Sequence, residues 1–383
     1  MSIKATPTHL WESRFGIEPP FSLGVEEELL LVDPDNQLAD HSARIVREAN
    51  PAQGDVDREL FKAMVESRSE ISANVRQAIA ALREIRRELV DSGIRIMGVG
   101  AHPAASPGEG DVHQTPRFSL IEDSLQGVLR TPICGQHIHV GMPDAETAVR
   151  AYNGIRVHVP LFNALAANSP FWFGEDSGLA SSRTVIFRSY PRAAMAPQFD
   201  DFEHFCRVTR QVCAAGGLED YTHIWWDARI HPGIGTIEVR AADTQFDLRR
   251  TAALSALVHC LTRLEAERDH GDIPAREALA ESSFQATRHG LEAELLNRRG
   301  DLLPARDLGR ECVAEAAAVA GDLNCEEELA YVETILEEGC GADLQRSVHR
   351  RDGMAGLLAY LVRETARLGV TGPAMQNAHE GVS

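Results

Sequence analysis

The 383-residue sequence predicts a mixed α and β protein in which a strand-rich part, residues 20–245, precedes a mostly helical part, residues 246–372. Three observations support this prediction. Phe21–Val32 has the apolar composition of a buried strand and lies between proline-containing turns. Cys134–Gly141 alternates in the manner of a strand. From Arg249 onward, apolar residues recur mainly at helical spacing.

The other elements are predicted from the same periodicities, within a single domain covering residues 1–383 and ending in a mobile tail at 373–383. The further predicted strands are Ile94–Val99, Ser181–Arg188 and Gly235–Arg240. The predicted helices are His9–Phe15, Ser42–Asn50, Asn74–Ser92, Ala145–Ala167 (broken near Pro160), Phe202–Ala215, Leu248–Glu267, Ala275–Asn297, Arg310–Asp322, Glu326–Glu338 and Met354–Leu368.

One segment, Glu59–Val75, fits two interpretations. As a strand, it places Glu66 and Glu70 on one face, together with Arg68. As an amphipathic helix, it also places the two acids on one face, because they are four residues apart. Both interpretations therefore bring Glu66 and Glu70 together.

The strand at Phe21–Val32 contains three consecutive acids, Glu26, Glu27 and Glu28. Side chains alternate along a strand, so Glu26 and Glu28 share one face and Glu27 lies on the other. Two carboxylates on an apolar strand are costly to bury unless a cation or a proton compensates them. The alternative is a half-exposed strand with a solvated acidic face.

Two later strands carry further polar side chains on one face. His137 and His139 alternate with apolar residues, a spacing that suits a metal or phosphate site as well as structural histidines. Thr236, Glu238 and Arg240 likewise share a face of their strand. An acid beside an arginine on a core strand is typical of a place where a metal ion and an anion meet.

The segment between these strands is also rich in polar and aromatic residues. Trp226 either packs in the core or contacts a ligand, and Arg229 either pairs with Asp227 or binds an anion.

Composition excludes several classes of function. A formal charge of −19 argues against nucleic-acid and anionic-membrane partners. Lys4 and Lys62 are the only lysines, so arginines must hold any bound phosphate or carboxylate. The sequence has no P-loop motif and no apolar run long enough to cross a membrane. Seven scattered cysteines without a Cys-x-x-Cys pair argue against a disulfide framework or structural zinc. The N-terminus lacks a signal-peptide core, and we predict a cytoplasmic protein.

Several motifs together resemble the type 2 glutamate–cysteine ligase family, specifically its YbdK-like carboxylate–amine ligases. They occur in the family's order and span nearly the whole chain. The matching stretches are Gly24–Glu28 with Val32-Asp33, Gly100–Pro103, Cys134–Gly141, Ser182-Arg183, Trp225–Arg229, Gly235–Arg240 with Asp243-Thr244, Ala286–Gly290 and Gln345-Arg346.

The resemblance implies an α+β fold, an antiparallel β-sheet with helices packed on one side, related to glutamine synthetase and the guanidino kinases. It implies ATP and Mg²⁺ (or Mn²⁺) as cofactors, glutamate as the acyl donor, and cysteine or another amino compound as the acceptor. The carboxylate first attacks the terminal phosphoryl group of ATP, and the amine then attacks the acyl phosphate. We also expect a homodimer, as for relatives.

Site residues follow from the matched motifs. The resemblance assigns Glu26, Glu28, His139 and Glu238 as metal ligands. For the second strand, Glu70 matches the family pattern best, although a threonine of that pattern is replaced here, and Glu66 and Glu59 stay open as alternatives.

Positive side chains complete the predicted site. Arg183, Arg229 and Arg240 would neutralise phosphates or the substrate carboxylate during catalysis. The resemblance further assigns to substrate or nucleotide binding the residues Trp226, His137, Arg288 and Arg346.

Two other functions are compatible with the sequence. A phosphotransferase of the same fold would stop at a phosphorylated guanidino or carboxylate product. A regulatory protein without catalytic activity would bind metal and leave ATP unchanged.

Overall fold

The computed structural model describes residues 12–106, 108–125, 127, 131–269 and 273–368. The strands are β1 (Leu23–Val32), β2 (Asp55–Arg58), β3 (Met64–Arg68), β4 (Arg95–Met97), β5 (Gly135–Gly141), β6 (Phe171–Trp172), β7 (Glu175–Asp176), β8 (Ala228–His231), β9 (Thr236–Asp243), β10 (Glu294–Leu296) and β11 (Leu302–Pro304). The helices are α1 (Ser42–Glu48), α2 (Val75–Asp91), α3 (Pro116–Leu125), α4 (Ala145–Ile155), α5 (Val159–Ala166), α6 (Ser182–Arg188), α7 (Phe202–Gly216), α8 (Leu248–Glu267), α9 (Arg276–His289), α10 (Ala305–Ala320), α11 (Glu326–Glu338) and α12 (Gly341–Thr365). Short 3₁₀ turns occupy Arg156–His158, Tyr221–His223, Pro232–Ile234 and Gly290–Glu292.

The central feature is an antiparallel sheet with the order β2-β3-β1-β5-β9-β8, to which β4 adds along β1. Its register sets acids and histidines opposite one another. Glu28 pairs with Glu66 of β3, and Glu26 pairs with His137 of β5. Cross-strand partners lie on the same face of a sheet, so these side chains meet on one side.

The two faces of the sheet have different coverings. Val25, Leu29 and Leu31 lie in the main hydrophobic core, where α2, α4, α5 and α8 contact the strands. Glu27 points to this side as well. The opposite face, with Glu26 and Glu28, borders a cavity that α3 and α6 help to line. The predicted α+β class with an antiparallel sheet is confirmed, and the long core helices cover one face.

Several predicted elements match the structure closely. The helix predicted at Asn74–Ser92 is α2, which begins where the Asn74 side chain accepts a hydrogen bond from the Gln77 N–H. α8 and α11 have the predicted bounds. The predicted break near Pro160 is also present, since α4 ends at Ile155 and a 3₁₀ turn separates it from α5.

Other predictions were wrong. A strand was predicted over Ser181–Arg188, but Ser182–Arg188 forms helix α6, because the Ser181 side chain caps the helix by accepting a hydrogen bond from the Thr184 N–H. The helix predicted over His9–Phe15 is absent from residues 12–15, the part of that segment that the structure describes. The tail at 373–383 lies outside the described residues.

Three C-terminal helices differ from prediction in their bounds. α10 runs from Ala305 to Ala320, where Arg310–Asp322 was predicted. α9 ends at His289, and strand β10 follows it within the segment predicted as helix. α12 begins at Gly341, well before the predicted Met354, and bends at Gly353, whose φ is 68°. Within the described ranges, no helix is both long and apolar enough to span a membrane.

Candidate active site

The acidic face of the sheet forms one wall of a cavity of about 610 Å³. Strands β1, β3, β5, β8 and β9 contribute polar side chains to it, while α3 and α6 contribute mainly apolar ones. The cavity therefore joins side chains from distant parts of the sequence. A concave, mixed polar and apolar pocket of this size is the ordinary setting for small-molecule binding.

Five glutamates line this cavity, Glu238 from β9 and four others that crowd together. Glu26 and Glu28 come from β1, Glu66 from β3, and Glu59 from the turn between β2 and β3. Glu28 receives a hydrogen bond from the main-chain N–H of Gly135, at 2.6 Å from its Oε2. Like charges at close range raise the free energy of the ionised site, so this cluster favours a bound cation or bound protons.

The two predicted histidines lie against the acids. His137 Nδ1 is 3.2 Å from Glu26 Oε2, and its Nε2 is 3.8 Å from Glu28 Oε1. His139 Nε2 is 3.4 Å from Glu26 Oε1 and 3.8 Å from Glu238 Oε1. Both Nε2 atoms are buried, and neither has a hydrogen-bond partner among the described residues. Buried imidazole nitrogens of this kind are available to a metal ion.

The donor set therefore fits divalent cations. Each candidate group offers carboxylate or imidazole atoms that all lie within 4.8 Å of one another, and the groups are Glu26, Glu66 and His137; Glu26, His139 and Glu238; and Glu28, Glu59 and Glu66. Carboxylate-dominated sets suit Mg²⁺ or Mn²⁺.

Protonation reflects the crowding of the acids. Burial raises the pKa of Glu28 to about 8, and the nearby Glu59 carboxylate adds to the rise. Burial also raises the pKa of Glu66 well above its usual value, with further contributions from Glu26 and Glu59. Without a cation, these carboxyls hold protons at pH values where isolated glutamates are ionised.

Glu26 and Glu238 behave in the opposite way. Burial alone would raise the pKa of Glu26, but His139 and His137 outweigh it and keep that pKa well below its usual range. Burial is likewise outweighed at Glu238, whose pKa is lowered by Arg229 and Arg240. These two carboxylates stay ionised and supply permanent negative charge.

The three predicted arginines all reach the cavity. Arg229 donates through Nε to Glu238 Oε2 at 2.7 Å, and Arg240 pairs with the other oxygen of that carboxylate. Arg183, on α6, is buried and donates through Nη2 to the main-chain oxygen of Arg240 at 3.3 Å. Its Nε atom has no partner within the described part of the chain. Arg183 can therefore bind an incoming anion.

Gly135 makes room for Arg183. A Cβ atom at this position would lie 2.2 Å from Arg183 Nη2, so a larger residue would displace the guanidinium group. The same glycine holds Glu28 through its N–H.

Glu70, which the resemblance favours as the second-strand metal ligand, lies away from the cavity. Glu70 is exposed and lies beyond the end of β3, whereas Glu66 and Glu59 line the cavity. β3 ends at Arg68, and the next residue, Ser69, accepts a hydrogen bond from the Val25 N–H at its side-chain oxygen while its own N–H donates to the Val25 main-chain oxygen. The structure places Glu66, and not Glu70, beside Glu28.

Three other predicted residues also lie away from the cavity. Trp226 packs in the core against Phe199, with ring centroids 5.8 Å apart. Arg288 is exposed near the end of α9. Arg346 pairs with Asp176, and its Nε is 2.9 Å from Asp176 Oδ2. Their motifs therefore do not bring these side chains to the acidic cluster.

The sequence interpretation missed some residues that line the cavity. His231 lies two residues after Arg229 on β8, so strand alternation could have placed it on the same face. Trp225 lines the cavity where its neighbour Trp226 was chosen. Arg117 and Tyr190 come from regions that gave no chemical pattern in the sequence.

Known proteins resemble this chain over most of its length. Residues 22–366 match the family described as Glutamate-cysteine ligase family 2 (GCS2). A protein of Rubrobacter xylanophilus, provisionally named glutamate–cysteine ligase 2-3, is 40% identical over 365 residues, which cover 93% of this chain and all of that one. The glutamate–cysteine ligase of Haloferax volcanii is 33% identical over 352 residues, covering 89% of this chain and 96% of that one.

A solved structure has a similar fold. The crystal structure of the Francisella tularensis glutamate–cysteine ligase in complex with AMP superposes with a TM-score of 0.67 at 12% identity, covering 92% of this chain and 89% of that one. The chain therefore belongs to glutamate–cysteine ligase family 2, a family of ATP-dependent ligases that form C–N bonds.

Proposed function

We propose that this protein joins a carboxylate to an amine at the expense of ATP, with glutamate as the acyl donor and cysteine or a related amino compound as the acceptor. The observation that carries the proposal is the convergence on one cavity of five glutamates with His137, His139, Arg183, Arg229 and Arg240. Family membership supplies the reaction class, and the Haloferax volcanii relative carries the name of a glutamate–cysteine ligase.

The acids and histidines are the proposed cation holders. Glu26, Glu28 and Glu66, together with His139 and Glu238, would bind Mg²⁺ or Mn²⁺. Such ions neutralise the charge of a triphosphate and of the phosphoryl group being transferred. In this assignment Glu66 takes the second-strand position, with Glu59 beside it.

The arginines are the proposed anion holders. Arg183 lines the cavity, and its Nε has no hydrogen-bond partner among the described residues, so it suits the transferred phosphoryl group. Arg229 and Arg240 already share Glu238, and they would orient that acid while limiting the negative charge near the substrate. Fixed donors of this kind stabilise developing charge without reorganising.

The reaction has two steps. A carboxylate oxygen of the donor attacks the γ-phosphorus of ATP, the bond to the β,γ-bridging oxygen breaks, and ADP leaves. The amine nitrogen then attacks the carbonyl carbon of the acyl phosphate, inorganic phosphate leaves, and the nitrogen loses a proton. Positioning and electrostatics account for most of the catalysis that such phosphoryl transfer requires.

The test is a coupled assay of the purified protein with ATP, Mg²⁺, glutamate and a panel of amines including cysteine. We expect release of ADP and phosphate in equal amounts, dependent on both substrates, and an amide product detected by mass spectrometry. A stable phosphorylated product without an amide would instead identify a phosphotransferase. Metal binding without nucleotide turnover would identify a regulatory protein, and either result would contradict the proposal.

Two properties of the whole protein also stay predictions. We propose that it acts in the cytoplasm as a homodimer. Light scattering on a size-exclusion column would measure a mass near 84 kDa for a dimer of the 41.9 kDa chain (2 × 41.9 = 83.8). A mass of one chain across the micromolar range would contradict the dimer.

A further inference from the structure

Four sequence motifs of the family resemblance lie outside the acidic cluster, and they meet near the N-terminal end of helix α6. Gly100 packs against Asp243, at the end of β9. Thr287 accepts hydrogen bonds at its main-chain oxygen from the N–H groups of Ala180 (2.9 Å) and Ser181 (3.0 Å), which lead into α6. Gln345 donates to the Asn168 main-chain and side-chain oxygens, both at 2.8 Å. The proposed chemistry gives these residues no direct role.

Asp243 is the centre of this second region. Its Oδ2 accepts hydrogen bonds from the Asn168 N–H at 2.9 Å and from the Ser169 hydroxyl at 2.7 Å. Its Oδ1 accepts one from the Ser181 hydroxyl at 2.9 Å. Asp243 is 2% exposed, and all three partners donate. A buried carboxylate with this many fixed donors is held in one orientation.

The same two serines hold the residue that carries the free guanidinium nitrogen. The main-chain N–H of Arg183 donates to Ser169 Oγ at 3.1 Å. Ser181 caps α6, since its Oγ accepts a hydrogen bond from the Thr184 N–H at 3.1 Å. The Arg183 guanidinium also faces Asp243, with Nη1 at 4.0 Å from Oδ1. Backbone and side chain of Arg183 are thus both tied to one carboxylate.

Small residues enclose this arrangement on both sides. A Cβ at Gly100 would lie 2.5 Å from the Asp243 carboxyl carbon, so the carboxylate could not stay where it is. On the cavity side, Gly135 leaves the space that the Arg183 guanidinium occupies. Asp243 also ends the strand that carries Glu238 and Arg240, and it therefore links their position to that of α6.

We propose that Asp243, acting through Ser169 and Ser181, is a positioning residue that holds Arg183 in its anion-binding orientation. This inference rests on the proposed function, in which Arg183 binds the transferred phosphoryl group. It assigns a role to the Asp243 motif and explains why residues remote from the acids surround α6. Asp243 itself does not line the cavity.

If Asp243 served only to stabilise the fold, different results would be expected. Its replacement would lower the melting temperature and the fraction of folded protein, yet each folded molecule would keep its turnover number. It would also act independently of Arg183. A positioning residue loses its effect on turnover once Arg183 has been removed, because residues that act as a unit are not additive.

The experiment is a double-mutant cycle of Asp243→Asn and Arg183→Ala in the full-length protein. Turnover, KM for ATP and for the carboxylate, calorimetric affinity for Mg²⁺-ATP and melting temperature are measured for all four proteins. We expect Arg183→Ala to lower kcat roughly 10²–10³-fold, as for other preorganised charge-stabilising groups. Asp243→Asn should lower kcat about 10–10²-fold, since a displacement of about 1 Å costs up to that much. The double variant should match Arg183→Ala alone.

A second variant guards against misfolding, and a third serves as the control. Ser181→Ala removes one link and keeps Asp243 paired with Ser169, so it should fold and lower kcat less than Asp243→Asn. Asp247→Ala removes the cap of a different helix, α8. Asp247 accepts a hydrogen bond from the Arg249 N–H there, and the Arg249 side chain is exposed. It should lower the melting temperature and leave kcat unchanged.

The outcomes separate this inference from the proposed function. Wild-type protein that binds Mg²⁺-ATP but forms no amide would defeat the proposed function, and the affinities of the four proteins would then decide the inference by the same non-additivity. Wild-type turnover and affinity in folded Asp243→Asn would overturn the inference. The inference would also be overturned if the losses of kcat in the two single variants multiplied in the double variant. It would be overturned as well if the wild-type protein bound no ATP.

Discussion

Glu27 and Glu28 are neighbours in β1 and both are buried, yet their carboxylates lie in opposite surroundings. Glu27 faces the helices, where Arg86 of α2 donates to its two oxygens at 2.8 and 2.6 Å. Glu28 faces the cavity, where Glu59 and Glu66 are close and Gly135 donates one hydrogen bond. The two sides of a single strand thus separate a completed ion pair from a site of excess negative charge.

The difference shows how to distinguish structural from functional acids. A buried carboxylate that accepts hydrogen bonds from an arginine at both of its oxygens has its charge neutralised by the protein itself. A carboxylate crowded by others, as Glu28 is, keeps a raised pKa even with arginines nearby, so further positive charge must come from a ligand or a proton. Each of the following variants tests one side of this comparison.

The largest effect on folding should come from the helix side. Arg86 also donates to the main-chain oxygens of Phe246 and Gln245, and it is 1% exposed. Arg86→Ala leaves Glu27 buried without a cation, and we expect the free energy of unfolding to fall by about 3–5 kcal/mol. Urea denaturation followed by circular dichroism measures it. The double variant Glu27→Gln/Arg86→Met should lose less free energy of unfolding than Arg86→Ala. An equally large loss in the double variant would show that the unpaired charge of Glu27 is not the cause.

The largest effect on activity should come from the cavity side. Glu66→Gln keeps the shape of the side chain and removes a proposed cation ligand, so kcat should fall roughly 10²–10³-fold with little change in melting temperature. Glu70→Gln, four residues away and exposed, is the matched control and should keep wild-type kcat. Inactivation by Glu70→Gln with an active Glu66→Gln would reverse the assignment of the second-strand acid.

A smaller, pH-dependent effect distinguishes the two acids further. The pKa of Glu28 is raised to about 8 in the folded protein, so between pH 6.5 and 8 the folded state binds more protons than the unfolded state. This contribution to the free energy of unfolding is therefore lost as the pH rises through that window. We expect the metal-free wild type to lose stability from pH 6.5 to 8 relative to Glu28→Gln.

Urea titrations at several pH values provide the measurement. Mg²⁺ should restore stability more at pH 8 than at pH 6.5, since the ion competes with protons for the same oxygens. Parallel curves for the wild type and Glu28→Gln would mean that Glu28 titrates normally.

The smallest effect should come from an arginine that lies outside both regions. Arg346 pairs with the half-exposed Asp176 at the surface, and exposed pairs contribute about 0–1 kcal/mol. Arg346→Ala should leave kcat and both KM values within about twofold of wild type, because exposed pairs contribute so little. A fall in kcat comparable to that of Arg183→Ala would show that Arg346 acts in the cavity after all.

Regular periodicity made much of the fold predictable. The three acids of β1 and the helical spacing of α8 were readable because a single local pattern determines each. α6 was not, since its β-branched residues Thr184, Val185 and Ile186 favour a strand, and its capping serine is held by Asp243 from 62 residues away. Tertiary contacts here override local propensity.

The candidate site was predictable to a similar extent. Strand alternation grouped Glu26 with Glu28 and His137 with His139, and the structure brings these pairs into one cavity. Alternation over Glu59–Val75 placed Glu70 on the same face as Glu66, and the family pattern then favoured Glu70, which is exposed and lies beyond the end of β3. At the end of β3 the Val25 N–H donates to the side-chain oxygen of Ser69, a contact that no pattern in the segment signals.

The alternation of β1 makes this strand intolerant of insertions and deletions. Loss of a single residue before Glu26 would rotate every following side chain to the other face. Glu27 would then enter the cavity, while two acids would face the helices, where Arg86 could neutralise only one of them. Evolution can therefore replace individual residues of this strand far more easily than it can change the strand's length.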